Sequence, residues 1–346
     1  MSAADDTTRP ASPDDALPPV EPPSAGFIVQ LFVVPLVIVT IIVAVYLLFN
    51  QLAQMGTNPA KHISQIRKGG PASWQAAHDL ATELRRNADL RGNEAVAAEL
   101  SLLLQNELRA GSLEKEAVNL RVFLCKSLGE FDGLGGLPAL LEAASAQADE
   151  AQAAPVRLSA LESLALVASK LHPSGESAPL LPAAEAAAPL KSITDKLVEA
   201  SHGESPQVQS TAAFALGVAG NDDALARLRA MLDSAHPDVR FNAATGLARW
   251  GDTACLAVLV EMLDPQEWAA ATATEEIAAR DFKQVQVVTN ALRAARQLAA
   301  ANAAADLSPL RAAAVALRDE QLLPPVKVEL EQMLQQLNGR GGANKN

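Results

Sequence analysis

The sequence predicts an all-α protein, in which a single N-terminal transmembrane helix is followed by an α-solenoid of stacked helix pairs. Residues Phe27–Phe49 form an apolar run of 23 positions without one charged side chain. The rest of the chain is rich in Ala and Leu, which are strong helix formers, and only 3% of all residues are aromatic. Residues 206–264 repeat one helix-pair pattern, the sequence signature of a stacked helical array.

The first element, residues 1–26, is predicted to be a disordered acidic tail rich in proline. It carries five acidic residues against Arg9 alone, and it has almost no large apolar side chains. Such a segment cannot bury enough apolar surface to offset the conformational entropy that folding removes.

The second element, residues 27–49, is long enough to cross a bilayer as a helix. At about 1.5 Å per residue it spans roughly 34 Å, against a hydrocarbon core of about 30 Å. A cleaved signal peptide would have a basic N-terminal region, a shorter apolar stretch and a small-residue cleavage site. The acidic tail and the following Asn50-Gln51-Leu52 fit none of these, so we expect an uncleaved anchor, with a kink at Pro35.

Residues 50–70 are predicted to be a juxtamembrane linker that also sets the orientation of the protein. Lys61, Arg67 and Lys68 follow the span, whereas Arg9 alone precedes it. Lys and Arg near the ends of a span are retained on the cytoplasmic side. We therefore expect the N-terminus outside and the large C-terminal domain in the cytoplasm.

Residues 71–337 are predicted to form the solenoid. Pro206 and Pro237 each open a first helix, Gly220 and Gly251 end it, and a second helix follows. At an offset of 31 residues the second copy repeats the first, most clearly at the pairs Val208/Val239, Ala212/Ala243, Ala213/Ala244, Leu216/Leu247, Leu228/Leu259 and Met231/Met262.

The hallmark of this pattern resembles the HEAT-like repeats of the bilin-lyase type, Pro-x-Val-Arg-x-x-Ala-Ala-x-x-Leu-Gly. Pro237, Val239-Arg240, Ala243-Ala244 and Leu247 carry the match, although Ala248 replaces the final glycine. Weaker copies extend the array to about six pairs, interrupted by surface loops at 172–190 and 265–274 and followed by a flexible tail at 338–346. The resemblance implies a fold, and bilin lyases with this repeat make an enzyme or enzyme accessory one alternative.

The residues themselves provide no catalytic constellation, and no cofactor or metal site is expected. The five histidines are scattered, and the two cysteines, Cys125 and Cys255, lie far apart within apolar helical patterns. Structural zinc requires four clustered ligands. The net charge of −12 also argues against nucleic acid, whose phosphates bind Lys- and Arg-rich surfaces.

Three residues are candidate contacts for a protein partner. Arg240, like Arg157 and Arg121, occupies the arginine position of the repeat; it could bind a ligand, although we favour pairing with an acid of a neighbouring repeat, such as Asp233 or Asp264. Trp250 follows a helix end, where core packing and partner contact are equally plausible. Trp268 lies in a loop and is the better candidate, because aromatic residues are enriched at binding hot spots.

These features together predict a membrane-anchored scaffold that binds a protein at the cytoplasmic face of a membrane. Helical arrays present extended surfaces, and tethering raises the effective concentration of whatever they hold. The sequence identifies neither the partner nor the oligomeric state.

Overall fold

The computed structural model describes residues 26, 29–55, 59–145, 154–174, 178–203, 205–267, 276–318, 320 and 322–343. The chain divides into two units, Met1–Asn58 and Pro59–Asn346. Almost all of the predicted acidic tail and Trp268 lie outside the described residues. The prediction of an all-α chain, with one N-terminal apolar helix followed by an α-solenoid, is confirmed.

The first unit contains one long helix, α1 (Val34–Met55), preceded by a π-helical turn at Val29–Val33. Pro35 is the second residue of α1 and directly follows the π-helical turn, and it has no backbone N–H to donate. The hydroxyl of Thr40 donates to the carbonyl oxygen of Leu36 (2.8 Å), which satisfies that group locally.

The second unit begins with α2 (Pro59–Lys68), which occupies most of the range 50–70 that the sequence suggested was a linker. Ile63 and Ile66 of α2 are 6% and 4% exposed and belong to the core of the solenoid. Because these two residues are three apart, both fall on one side of a helix. The solenoid therefore starts at Pro59 instead of residue 71.

Six helix pairs follow in the described residues, each with a first and a second helix. The pairs are α3 (Ser73–Arg86) with α5 (Glu94–Ala110), α6 (Lys115–Glu130) with α7 (Leu137–Ser145), α8 (Ala154–Leu171) with α9 (Ala183–Ser201), α10 (Pro206–Ala219) with α11 (Asp222–Met231), α12 (Pro237–Arg249) with α13 (Leu256–Glu261), and α14 (Ile277–Ala301) with α15 (Ser308–Leu317). A short helix, α4 (Ala88–Arg91), joins α3 to α5, and α16 (Pro324–Ala343) closes the array.

The first helices stack directly on one another, each against the first helix of the next pair, and α16 continues this layer by packing on α14. Small residues allow the close approach. Gly217 of α10 faces Gly246 of α12, and a Cβ added to Gly217 would lie 2.6 Å from the Cα of Gly246. One continuous core, from Ile63 to Leu337, runs through the whole array.

Side-chain caps fix the starts of several helices. Asn93 accepts from the backbone N–H of Val96 at the start of α5, and Asn221 accepts from that of Ala224 at the start of α11. Each cap satisfies one of the N–H groups that a helix leaves without an internal partner.

The predicted loop at 172–190 is wrong over its second half, because α9 begins at Ala183. Pro189 lies inside this helix and removes one of its hydrogen bonds. The loss is offset by apolar burial, since Ala186 is 4% and Leu190 is 9% exposed. At the C-terminus α16 extends to Ala343, six residues past its predicted end at Leu337.

Candidate partner-binding surface

Trp250 joins consecutive first helices of the solenoid. It follows the last residue of α12 and is half-buried. Its Nε1–H donates to the carbonyl oxygen of Gly217 (2.9 Å), and its ring stacks on His172, with centroids 4.6 Å apart. Gly220 leaves room for the indole, since a Cβ there would lie 1.9 Å from it. The polar atom of Trp250 is thus already used within the chain.

Arg240 is also held within the chain. Its guanidinium bonds Glu261 and donates from Nη1 to the carbonyl oxygen of Ser234 (2.9 Å). Glu261 belongs to α13, the second helix of the same pair, so the sequence-based choice of Asp233 or Asp264 was wrong. The Arg240 side chain extends from α12 towards α13 of its own pair, so it contacts Glu261 of α13.

The arginine position has a shared structural task that sequence reasoning missed. Arg121 donates to the carbonyl oxygen of Ser112, in the turn before its own helix. Gln209, which replaces arginine in α10, donates in the same way to the carbonyl oxygen of Gly203 (2.6 Å). A long side chain with a terminal N–H at this position therefore holds the preceding turn in place. The replacement of Arg by Gln at the same repeat position is the sequence feature that could have indicated this role.

A row of capping side chains, Lys170, His172, Trp250 and Asn302, joins the C-terminal ends of consecutive first helices. Lys170 donates to the three carbonyl oxygens of residues 129–131 at 2.7–3.1 Å. His172 donates to Ala219 (2.8 Å), and Asn302 donates to Gly251 (2.9 Å). The row satisfies carbonyl groups that helix ends leave without partners.

Lys170 carries a positive charge into this row at a helix C-terminus, where a cation is favourable. Burial lowers the pKa of the Lys170 ammonium below its ordinary value, while Asp132, 3.3 Å away, acts in the opposite direction. Burial likewise lowers the pKa of the Arg249 guanidinium at the end of α12. The arrangement fits a structural role for both cations.

The most exposed aromatic side chains of the described solenoid lie on first helices. Phe214 of α10 is 45% and Phe282 of α14 is 72% exposed. Trp74 of α3 and Phe123 of α6 are half-buried, with ring centroids 6.1 Å apart. Large apolar side chains of this kind are the usual anchors of protein interfaces. We call the side of the first-helix layer that carries these aromatic residues its outer side. This surface was not identified from the sequence.

A polar cleft of about 170 Å³ opens on the same layer, between α10, α12 and α14. The carboxamide of Asn242 donates to the hydroxyl (2.9 Å) and the carbonyl (3.1 Å) of Ser210, which fixes its orientation. Asp238 and Lys283 form an ion pair of 3.2 Å at the cleft. Ser210 and the exposed Phe214 lie four residues apart on α10, so they share one side of that helix.

In the part of the chain that the structure describes, no three His, Cys, Asp or Glu side chains lie close enough together to hold a metal ion. Cys125 and Cys255 are both buried free thiols. Burial raises the pKa of each to about 12.

Comparison with known proteins supports the repeat assignment. A family model described as HEAT repeats matches residues 194–279, which include both of the clearest copies. No curated protein matches the chain in sequence.

Three solved structures show weak similarity to the chain. The first is an engineered protein with 19% identity and a TM-score of 0.38, covering 71% of this chain and 98% of its own. Human deoxyhypusine hydroxylase in complex with glycerol has 18% identity and a TM-score of 0.28, covering 84% and 99%. The protein YibA of Escherichia coli has 17% identity and a TM-score of 0.32, covering 84% and 96%.

Proposed function

We propose that this HEAT-like repeat protein is a single-pass membrane protein whose solenoid binds another protein at the cytoplasmic face of a membrane. The observation that carries the proposal is the apolar span of α1 and the turn before it. Residues Val29–Leu48 have a mean hydropathy of 3.0, and none of them is buried within the protein. Twenty such residues exposed to water would be costly, whereas a bilayer accepts a helix whose own hydrogen bonds satisfy its backbone.

Orientation rests on the basic residues that follow the span. Lys61, Arg67 and Lys68 come after it, and only Arg9 precedes it. Retention of these charges in the cytoplasm leaves the solenoid on that side.

Binding is assigned to the outer side of the first-helix layer, with the exposed Phe214 beside the polar cleft as its centre. An exposed aromatic ring next to fixed polar groups combines an apolar anchor with hydrogen bonds that set its orientation. Arg240 and Trp250, the other two candidate contacts, are both engaged in contacts within the solenoid itself. Trp268 remains a candidate contact from the sequence alone.

Two experiments test the proposal separately. For the anchor, membranes containing the protein are washed at high salt and at alkaline pH; we expect the protein to stay in the pellet and to need detergent for release. Release by salt alone would contradict insertion of the apolar span.

For the interaction, a photo-crosslinking amino acid replaces Phe214 in one variant and Leu102 in a matched control. Leu102 is 62% exposed but lies on α5, a second helix. We expect one discrete crosslinked product in membranes from position 214 and none from position 102. The same product from both positions, or from position 102 alone, would contradict the choice of surface.

A further inference from the structure

The helix α2, the first of the solenoid, has a side that faces away from the core and carries the exposed Lys61 and Lys68 with the half-buried Ser64 and Gln65. Ile63 and Ile66 bury the opposite side in the core. Lys61 and Lys68 are exposed and seven residues apart, so they project from nearly the same angle, two turns or about 10 Å apart. Neither forms an ion pair with any described residue.

Helix α2 itself contributes no negative charge to this side, whereas Glu107, Glu114 and Glu116 line a pocket with Gly69 and Gly70, directly after Lys68. No acidic residue occurs in α2, and Ser64 and Gln65 lie between the two lysines in the sequence. Arg67, the third basic residue, points elsewhere, because its Nε–H donates to Glu99 of α5 (3.0 Å). The unpaired charge of α2 is therefore concentrated in Lys61 and Lys68.

The position of α2 in the chain limits what can meet this side. Only residues 56–58 separate α2 from the end of α1. If α1 spans a bilayer, the apolar span ends at Leu48, so the short stretch of chain that follows it allows Lys61 and Lys68 to reach the lipid headgroups.

We propose that Lys61 and Lys68 form a docking edge for the phosphate groups of anionic phospholipids, which seats the solenoid against the membrane surface. This inference rests on the proposed membrane anchor. Each lysine near an anionic leaflet gains electrostatic attraction that acts within about one Debye length and weakens with salt. Docking would limit the directions in which the first-helix layer can face, and so which partners it meets.

The test measures how fast individual lysines react in the full-length protein. The protein is reconstituted in lipid nanodiscs, made either of phosphatidylcholine alone or with 30–40% phosphatidylglycerol, roughly the range that gives a strongly negative surface. An amine-acylating reagent is added, and mass spectrometry follows Lys61, Lys68 and Lys327. Lys327 is exposed on α16 and serves as the internal reference. Both membrane faces of a nanodisc are open, so orientation does not affect the result.

We expect acylation of Lys61 and Lys68, relative to Lys327, to slow by about fivefold or more in the anionic discs, the factor that corresponds to the attraction of one lysine to such a surface. High salt should restore the rate. Equal relative rates in both lipids, or equal protection in phosphatidylcholine alone, would overturn the docking edge. Failure of the protein to enter discs at all would instead contradict the membrane anchor, so the two failures are distinct.

Discussion

The close approach of α10 and α12 predicts that Gly217→Ala destabilises the solenoid, although alanine is the better helix former. The new Cβ would lie 2.6 Å from the Cα of Gly246. Carbon atoms that are not bonded prefer about 3.5 Å or more, so the two helices must separate locally by roughly 0.9 Å. Because the neighbouring atom belongs to the backbone, no rotamer change can relieve the contact.

Overpacking of this kind costs about 1–3 kcal/mol. For a domain of this size each kcal/mol lowers the unfolding midpoint by roughly 2–4 °C. We expect circular dichroism of the detergent-solubilised protein to show a midpoint several degrees below that of the wild type. Gly92→Ala is the matched control, since a Cβ at Gly92 meets nothing within 4 Å, and it should leave the midpoint unchanged or slightly higher.

The reciprocal substitution sharpens the test. A Cβ on Gly246 would lie 2.7 Å from the Cα of Gly217, so Gly246→Ala forces the same separation. Because both methyl groups enter the same contact, the loss of stability in the double variant should differ from the sum of the two single variants. A wild-type midpoint for Gly217→Ala, or full additivity in the double variant, would refute the packing of these two helices.

Three further predictions concern the buried interior. Leu247→Asp places a carboxylate at a fully buried position of α12, which costs several kcal/mol of stability. The variant should no longer show a cooperative unfolding transition by circular dichroism on heating, and an unchanged transition would contradict the repeat register. Lys170→Met leaves three carbonyl groups at the end of α6 without their donor and should cost about 1–3 kcal/mol by urea titration, whereas an unaltered titration would show that water replaces the cap. Burial raises the pKa of the Cys125 and Cys255 thiols to about 12, so both should resist alkylation at pH 8 until the protein unfolds, and rapid labelling of the native protein would show that they are accessible. Because unfolded thiols ionise near pH 8.5, the free energy of unfolding should fall as the pH rises from there towards 12.

Much of the fold could be predicted because its signals are local and repeated. The prolines that open α10 and α12 and the apolar spacing within each helix set the same helix boundaries in both copies. The asparagine caps of α5 and α11 are local signals of the same kind. Local signals failed where they competed with burial, as in α9, whose Pro189 suggested a loop while Leu190 packs in the core.

The surface was harder to predict because its contacts join residues far apart in the chain. The residues next to Trp250 in the sequence do not indicate that its ring stacks on His172. They also do not indicate that its Nε1–H donates to the carbonyl oxygen of Gly217. The partner of Arg240 depends on the angle between two helices, which sequence spacing does not give. The exposure of Phe214 depends on how the first helices stack, and no sequence motif predicts it.

The central claim, an inserted anchor with a cytoplasmic solenoid, is tested most directly by protease treatment of spheroplasts whose cytoplasmic membrane is intact. Each half of the protein is followed with an antibody or by mass spectrometry. The account predicts loss of only a small N-terminal piece, with the solenoid from Pro59 onwards protected until detergent is added. Digestion of the solenoid while cytoplasmic control proteins survive would contradict it, and its partner would then have to be sought outside the cytoplasm.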